Sequence, residues 1–163
     1  MCIMGGSGTG KSVTLKHIVG LMKPDSGVVK IDGEEISERR NGNLAEMRKK
    51  IGFLFQGAAL LNSLNVFENV ALPLRELERL TEEEIRRRVM EKLELVGLHE
   101  AEQKMPSVLS GGMKKRVGLA RALIRNPETI LYDEPTAGLD PVTASTINNL
   151  ILDMQKKLAV TSV

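Results

Sequence analysis

The octapeptide Gly5-Gly6-Ser7-Gly8-Thr9-Gly10-Lys11-Ser12 decides the fold of this chain. It matches the pattern G-x-x-x-x-G-K-[ST] at every position. Its glycines let the backbone curl so that N–H groups point inward and form a nest for phosphate oxygens, and the helix that follows adds the positive end of its dipole. All eight residues are therefore candidates for binding a nucleotide, with Lys11 reaching the β- and γ-phosphates and Ser12 ligating Mg²⁺.

A second pattern lies near the end of the chain, where the apolar run Ile130-Leu131-Tyr132 is followed by Asp133-Glu134. A lone acidic pair is usually a solvated turn, but a phosphate-binding loop in the same chain favours a catalytic interpretation. Asp133 can hold Mg²⁺ through water, and Glu134 can polarise an attacking water as a general base.

A third pattern, Leu109-Ser110-Gly111-Gly112-Met113, puts a hydroxyl and two glycines at the start of a predicted helix. Such a helix end can bind an anion. An N-cap explains Ser110 but not the two glycines, which are poor helix formers. They predict that some other group approaches the backbone closely.

Two further polar residues carry weaker signals. Gln56 ends a predicted strand, where a surface glutamine is the default interpretation. Asp140 stands just before Pro141 and reads as a helix N-cap.

Composition limits the possible functions. The chain has 163 residues, enough for one domain, with a net charge of +2 and 2% aromatic residues. Neither value favours a nucleic-acid partner. Cys2 is the single cysteine, and no run of apolar residues is long enough to span a membrane. The basic runs Arg86–Arg88 and Lys114–Arg116 are interpreted as solvated helix faces.

The predicted elements alternate between strand and helix at both ends of the chain and are helical in the middle. In chain order they are an apolar stub at Met1–Met4, a helix over 11–22, a hairpin with strands 28–31 and 34–36 around Asp32-Gly33, a strand over 51–55, helices beginning at Asn65 and Thr81, a helix from Ser110 to Asn126, a strand over 129–132, a helix opened by Asp140-Pro141 and the start of a strand over 159–163. We expect one α/β domain, residues 1–163, with a parallel-sheet core formed by 1–57 and 127–163 and a helical subdomain, 58–126, inserted into it.

The order of these motifs resembles that of ATP-binding cassette (ABC) ATPases, and the resemblance covers nearly the whole chain. It implies a P-loop NTPase with a RecA-like core, ATP and Mg²⁺ as cofactors, and a head-to-tail homodimer in which each ATP lies between one phosphate loop and the partner's Ser-Gly-Gly segment. The resemblance makes Gln56 a residue near Mg²⁺, at the hinge to the helical subdomain, and Glu134 the catalytic glutamate. It also makes Asp140 the D-loop aspartate, which is one of the expected nucleotide-binding residues.

Three departures from the family pattern stand out. Met113 takes the place of the usual glutamine, the chain stops at Val163 before the family's switch histidine, and it begins after the aromatic residue that stacks on adenine. The resemblance therefore predicts a fragment of a longer ATPase, truncated at both ends.

A finer resemblance concerns the transported substance. The segments 55–60, 65–71 and 73–76, together with Met113, are similar to Mla/Mce-type lipid transporter ATPases. This predicts a peripheral subunit on the cytoplasmic face of the bacterial inner membrane that drives a permease for phospholipid or another hydrophobic molecule. Two alternatives stay open. One is a DNA-maintenance ATPase, although residues 57–109 lack the sustained heptads of a coiled coil; the other is a nucleotide-binding module without catalysis.

Overall fold

The computed structural model describes residues 1–31, 33–36 and 42–163. Within them the chain forms six helices, five strands and one 3₁₀ turn. The helices are α1 Lys11–Ile18, α2 Gly42–Lys49, α3 Val66–Leu77, α4 Glu82–Leu95, α5 Gly111–Leu123 and α6 Pro141–Leu158. The strands are β1 Lys30–Ile31, β2 Glu34–Glu35, β3 Ile51–Leu54, β4 Thr129–Tyr132 and β5 Thr161–Ser162, and the 3₁₀ turn is Pro106–Val108.

A parallel sheet of described strands, in the order β3-β4-β5, forms the centre of the fold. Leu54 at the end of β3 pairs with Tyr132 at the end of β4. The connection from β3 to β4 contains α3, α4 and α5, and the connection from β4 to β5 is α6. Both strand ends therefore open on the same edge, where loops of parallel sheets carry functional residues.

Alternate residues of β4 face opposite sides of the sheet. Ile130 is fully buried in a large cluster with residues of α3–α6, whereas Leu131 packs against Leu15 of α1 and Val19, the residue that caps its end. Burying a side chain of this size stabilises the fold by about 2 kcal/mol. The sheet thus lies between α1 on one side and the longer helices on the other.

Helix α5 approaches β3 very closely because both elements carry glycine at the contact. A Cβ on Gly52 would lie 2.5 Å from the Ala122 carbonyl oxygen, and one on Gly118 would lie 2.8 Å from Leu54 Cδ1. These contacts fix α5 against the strand that leads to Gln56.

Two helices are shorter than predicted. α1 ends at Ile18 rather than 22, because Gly20 adopts a φ of 66°. The Gly20 N–H donates to the His17 carbonyl at 3.0 Å, and the Leu21 N–H donates to the Lys16 carbonyl at 2.9 Å. These two bonds form a Schellman motif. α5 ends at Leu123 rather than at Asn126.

The other local predictions had mixed outcomes. Residues 1–4 form no strand, although the Met1 ammonium donates to the Ser162 carbonyl of β5 at 2.9 Å. The helix α2 had no counterpart among the predicted elements. The hairpin is confirmed as the antiparallel pair β1–β2, with two residues in each strand, and its turn residue Asp32 lies outside the described residues.

The predicted helix starts are confirmed. Asn65, Thr81, Ser110 and Asp140 cap α3, α4, α5 and α6, and each side chain accepts a backbone N–H of its own first turn. In the described part of the chain, no helix combines the length and the apolar character needed to cross a membrane. The division into a core and a helical subdomain at 58–126 stays a prediction.

Candidate active site

The glycine-rich loop leads directly into α1. Gly8 and Gly10 have φ values of 80° and 94°, a region that side chains with a Cβ avoid. The Thr9 hydroxyl donates to the Gly6 carbonyl at 2.9 Å and closes the loop on itself. Gly10 is the N-cap and has no side chain to occupy the N–H groups of the first turn. The start of α1 therefore offers backbone donors suited to an anion.

The Lys11 ammonium lies at the centre of this loop. It donates to the carbonyl oxygens of Gly5 and Gly6 at 3.0 and 2.9 Å, and it lies 3.3 Å from Glu134 Oε1. Its side chain is 20% exposed. A cavity of about 260 Å³ borders Lys11, Asp133 and Glu134. The cation is thus accessible and held close to the carboxylate at the end of β4.

The side chains predicted to ligate Mg²⁺, other than that of Gln56, contact each other directly. The Ser12 hydroxyl donates to Asp133 Oδ1 at 2.6 Å, and Asp133 is buried at 5% exposure. Within the described residues no cluster of three or more His, Cys, Asp or Glu side chains could hold a metal on its own. One carboxylate with one hydroxyl fits Mg²⁺, which uses few protein ligands and completes its shell with water and phosphate oxygens.

Gln56 and Glu134 also meet. Gln56 follows β3, Glu134 follows β4, and Gln56 Nε2 donates to Glu134 Oε2 at 3.0 Å. Glu134 has a φ of 46°, in the left-handed region that costs a residue with a Cβ roughly 1 kcal/mol or more. Strain of this kind is found at functional sites where neighbouring contacts hold it in place.

Lys115 is the residue that the sequence interpretation missed. It was assigned to a solvated basic run, but it is 5% exposed, and its ammonium donates to the main-chain carbonyls of Gln56 and Glu134. Burial lowers the pKa of the Lys115 ammonium, and the charges of Asp133 and Glu134 oppose that shift. The available signal was helical spacing, because Lys115 shares the buried face of α5 with Gly112 and Leu119.

The remaining predicted residues form a second group, at the starts of α5 and α6. A Cβ on Gly111 would lie 3.0 Å from Leu139 Cδ2, and one on Gly112 would lie 2.6 Å from Thr143 Cγ2. The close approach predicted for these glycines is therefore confirmed. The approaching groups are side chains of the same chain, Leu139 and Thr143. Asp140 Oδ1 accepts the N–H groups of Val142 and Thr143 at 3.1 and 3.0 Å, and hydrogen bonding from Thr143 lowers the pKa of the Asp140 carboxyl.

The residues at the starts of α5 and α6 make no described contact with the glycine-rich loop. Among the described contacts of Ser110, Gly111, Gly112 and Asp140, none is made with residues 5–12. Residues of the first group come from three chain segments and meet beyond the ends of β3 and β4; they are Lys11, Ser12, Gln56, Asp133 and Glu134. This arrangement, with the glycine-rich loop beside it, is that of a P-loop NTPase with its acidic residues at the sheet edge.

A family model described as "ABC transporter" matches residues 1–137. The match covers more than half of the chain, so the chain belongs to the ABC transporter family. The predicted fold class, an ABC ATPase with a P-loop and a parallel sheet, is confirmed.

Curated relatives of similar identity carry three different transport names. The chain is 50% identical over 98% of its length to a probable ribonucleotide transport ATP-binding protein, mkl, of Mycobacterium leprae, of which it covers 46%. It is 48% identical over 99% of its length to the methionine import ATP-binding protein MetN of Carboxydothermus hydrogenoformans, of which it covers 48%. It is 45% identical over 99% of its length to the intermembrane phospholipid transport system ATP-binding protein MlaF of Haemophilus influenzae, of which it covers 61%.

Solved structures agree on the fold. A dimeric bacterial ABC transporter cassette matches with a TM-score of 0.87 and 40% identity, covering 98% of this chain and 71% of that chain. A second structure of the same cassette, a dimer in a post-hydrolysis state bound to ADP and Pi, matches with the same values. Compared with the first curated relatives it matches, the chain spans about half of their length.

Proposed function

We propose that the protein to which this chain belongs binds Mg-ATP through the residues of this candidate active site and hydrolyses it to power an ABC transporter. The observation that carries the proposal is the meeting of Lys11, Ser12, Gln56, Asp133 and Glu134 beside the glycine-rich loop. A lone phosphate-binding loop supports only nucleotide binding. A loop with an adjacent, aligned carboxylate supports hydrolysis as well.

Each residue of this site has a distinct part in the proposal. The backbone N–H groups of residues 5–12 cradle the phosphates, and the Lys11 ammonium exchanges carbonyl acceptors for β- and γ-phosphate oxygens. Glu134 accepts a proton from the attacking water, and the Gln56 amide orients the Glu134 carboxylate through their hydrogen bond.

Ser12 and Asp133 would hold Mg²⁺, Asp133 through water, with Gln56 near the ion. When bound, Mg²⁺ neutralises charge on the phosphate oxygens. The Ser12–Asp133 hydrogen bond keeps the hydroxyl and the carboxylate oxygens together on the loop side of β4.

We also propose a homodimer in which Ser110, Gly111, Gly112 and Asp140 of one copy face the nucleotide of the other. The absence of described contacts between these residues and the loop of their own chain supports this arrangement. The matching cassette, which is dimeric in both of its structures, supports it as well. The start of α5 keeps an N-terminal turn free of acidic residues, as a helix end that meets phosphate requires.

The proposed partner is an integral membrane permease, contacted by the helical segment 58–126 at the cytoplasmic face of the bacterial inner membrane. The proposed cargo is phospholipid or another hydrophobic molecule. The similarity of residues 65–76 and Met113 to lipid-transport ATPases and the match to MlaF support a lipid cargo. Ribonucleotide and methionine are the competing cargoes, since mkl and MetN are relatives of comparable identity.

Binding of labelled ATP tests the first part of the proposal. We expect Lys11→Ala to weaken binding by roughly tenfold or more in the whole protein, because a charged hydrogen-bond donor contributes about 1.5–3 kcal/mol. Lys16→Ala, on the same helix, is the matched control. Equal affinities of wild type and Lys11→Ala would show that the loop is not the binding site.

Co-purification from the native membrane tests the second part. Mass spectrometry of the associated proteins and lipids should identify a permease of the lipid-transport type. Recovery of an amino-acid or nucleotide permease would contradict the lipid cargo and leave the ATPase proposal intact. Recovery of no membrane protein would contradict the transporter function.

A further inference from the structure

Lys115 joins two strand ends that no ladder hydrogen bond reaches. The described pairing of β3 with β4 ends at Leu54 and Tyr132, with a last bond from the Asp133 N–H to the Leu54 carbonyl at 2.9 Å. Gln56 and Glu134 each lie two residues beyond that pair. The Lys115 ammonium donates to both of their carbonyls, at 3.2 Å to that of Glu134. It therefore replaces the missing ladder between the two residues.

We propose that Lys115 is a positioning residue for ATP hydrolysis. By binding the main-chain carbonyls of Gln56 and Glu134, it holds their side chains in contact. This inference rests on the proposed function. The same two residues are joined twice, through their carbonyls by Lys115 and through their side chains by the 3.0 Å bond. Fixing both backbones fixes the direction from which each side chain starts. The carboxylate of Glu134 then keeps its place without help from the nucleotide.

The strained backbone of Glu134 explains why such support is needed. With a φ of 46°, this residue relaxes unless external contacts hold it. Its carbonyl accepts two hydrogen bonds, one from Lys115 and one from the Ala137 N–H at 3.1 Å. Lys11 forms an ion pair with the Glu134 carboxylate. In our proposal the Lys11 ammonium binds the phosphates of ATP instead. Among the cations that contact Glu134 in the described part of the chain, Lys115 then remains.

Packing alone does not account for a lysine at this position. Burying an ammonium carries a desolvation cost, which is also the cause of its lowered pKa. A methionine would fill the same length without that cost. A charged donor is favoured here because the two carbonyls it satisfies belong to residues of the active site.

The position of Lys115 on α5 also connects the start of this helix to the active site. Lys115 lies five residues, about 1.4 turns, after Ser110, on the helix whose start we assign to the partner's nucleotide. A displacement of α5 therefore acts directly on the backbones of Gln56 and Glu134.

A double-mutant cycle tests the proposal in the whole protein. Lys115→Met keeps the side-chain length and removes the ammonium, and Lys114→Met is the control at the preceding position of α5. With labelled ATP, we expect Lys115→Met to lower the single-turnover hydrolysis rate about tenfold or more, as misplacement of a catalytic group does, and to change the Kd for ATP by less than about twofold. Lys114→Met should change neither. In a Glu134→Gln background, Lys115→Met should lower the rate by less than about twofold, because it acts through Glu134.

A second measurement needs no nucleotide. The Ala58 N–H donates to the Phe55 carbonyl at 2.8 Å and the Ala137 N–H donates to the Glu134 carbonyl at 3.1 Å, so these amides close turns that contain Gln56 and Glu134. We expect hydrogen exchange at both amides to be faster in Lys115→Met than in Lys114→Met. If Lys115→Met does not fold, Lys115→Arg replaces it in both measurements, because it keeps a donor but moves its position.

Three outcomes overturn the inference. They are a wild-type hydrolysis rate in Lys115→Met, a rate loss that is equally large in the Glu134→Gln background, and unchanged exchange at Ala58 and Ala137. A wild-type protein that fails to hydrolyse ATP contradicts the proposed function instead, and the exchange measurement still decides whether Lys115 positions the two residues.

Discussion

Ser12 Oγ lies 2.6 Å from Asp133 Oδ1, and this hydrogen bond joins the first turn of α1 to the end of β4. Asp133 is 5% exposed, so water competes little for the contact. The bond holds the loop that carries the phosphate-binding backbone against the strand that carries the acidic pair. It also places side by side the two side chains that we propose to hold Mg²⁺, Ser12 directly and Asp133 through water.

The first prediction concerns Asp133. Asp133→Asn keeps the shape of the side chain but removes the charge that attracts Mg²⁺, so we expect hydrolysis to fall about 100-fold or more at low Mg²⁺ concentration. The measurement is the ATPase rate of the whole protein as a function of Mg²⁺. Asp153→Asn, an exposed carboxylate of α6, is the control. A Mg²⁺ dependence equal to that of the wild type would remove Asp133 from the metal site.

The second prediction concerns Glu134. Glu134→Gln removes the proposed general base and preserves the volume, so ATP should bind and persist while turnover falls about 100-fold or more. Persistent ATP should stabilise the dimer, which gel filtration with and without ATP detects. Glu128→Gln, an exposed glutamate before the same strand, should behave like the wild type. Normal turnover in Glu134→Gln would exclude it as the base.

The third prediction concerns the loop after Gln56. Asn69 is fully buried; its amide donates to the carbonyls of Leu61, Leu64 and Asn65, and its Oδ1 accepts the Leu61 N–H. Asn69→Leu should lower the free energy of unfolding by about 3 kcal/mol or more, because several buried backbone groups lose their partner. Urea unfolding measures this loss.

The matched control for Asn69 is Asn62→Leu. Asn62 is exposed in the same loop, and its replacement should change the free energy of unfolding by about 0.5 kcal/mol or less. Similar losses in both variants would show that the hydrogen bonds of Asn69 do not organise the loop.

The fourth prediction concerns pH. Hydrogen bonds from Arg87 and Arg88 lower the pKa of the Glu84 carboxyl from 4.5 to about 2. Because the folded-state pKa is depressed, the stabilisation is present above pH 4.5 and is lost as the pH falls towards 2. The difference in Tm between wild type and Glu84→Gln should therefore be largest near neutral pH and shrink over that window.

A carbon-detected NMR titration of Glu84 measures its pKa directly. Glu83→Gln, which removes a charge from the same exposed turn of α4, is the control and should lower Tm less at neutral pH. A Glu84 carboxyl that titrates near its ordinary value would contradict the ion-pair geometry around Arg87 and Arg88.

The local parts of the fold were predictable because their signals are contiguous. The phosphate loop, the N-caps at Asn65, Thr81 and Asp140 and the apolar run before Asp133 are each set by a few neighbouring residues. Backbone conformation and capping depend on such short segments. The end of α1 was missed because the left-handed Gly20 was not weighed as a helix terminator.

Contacts between distant segments were not predictable in the same way. The sequence by itself determined that a phosphate-binding loop, an acidic pair and a Ser-Gly-Gly helix start occur in this chain and in this order. Only the tertiary structure decided that Ser12 contacts Asp133, that Gly112 lies against Thr143 and that Lys115 is buried between Gln56 and Glu134. The physical reason is that a lysine in a basic run is solvated by default, and it becomes a buried donor only when β3, β4 and α5 pack together and leave two carbonyls without a partner.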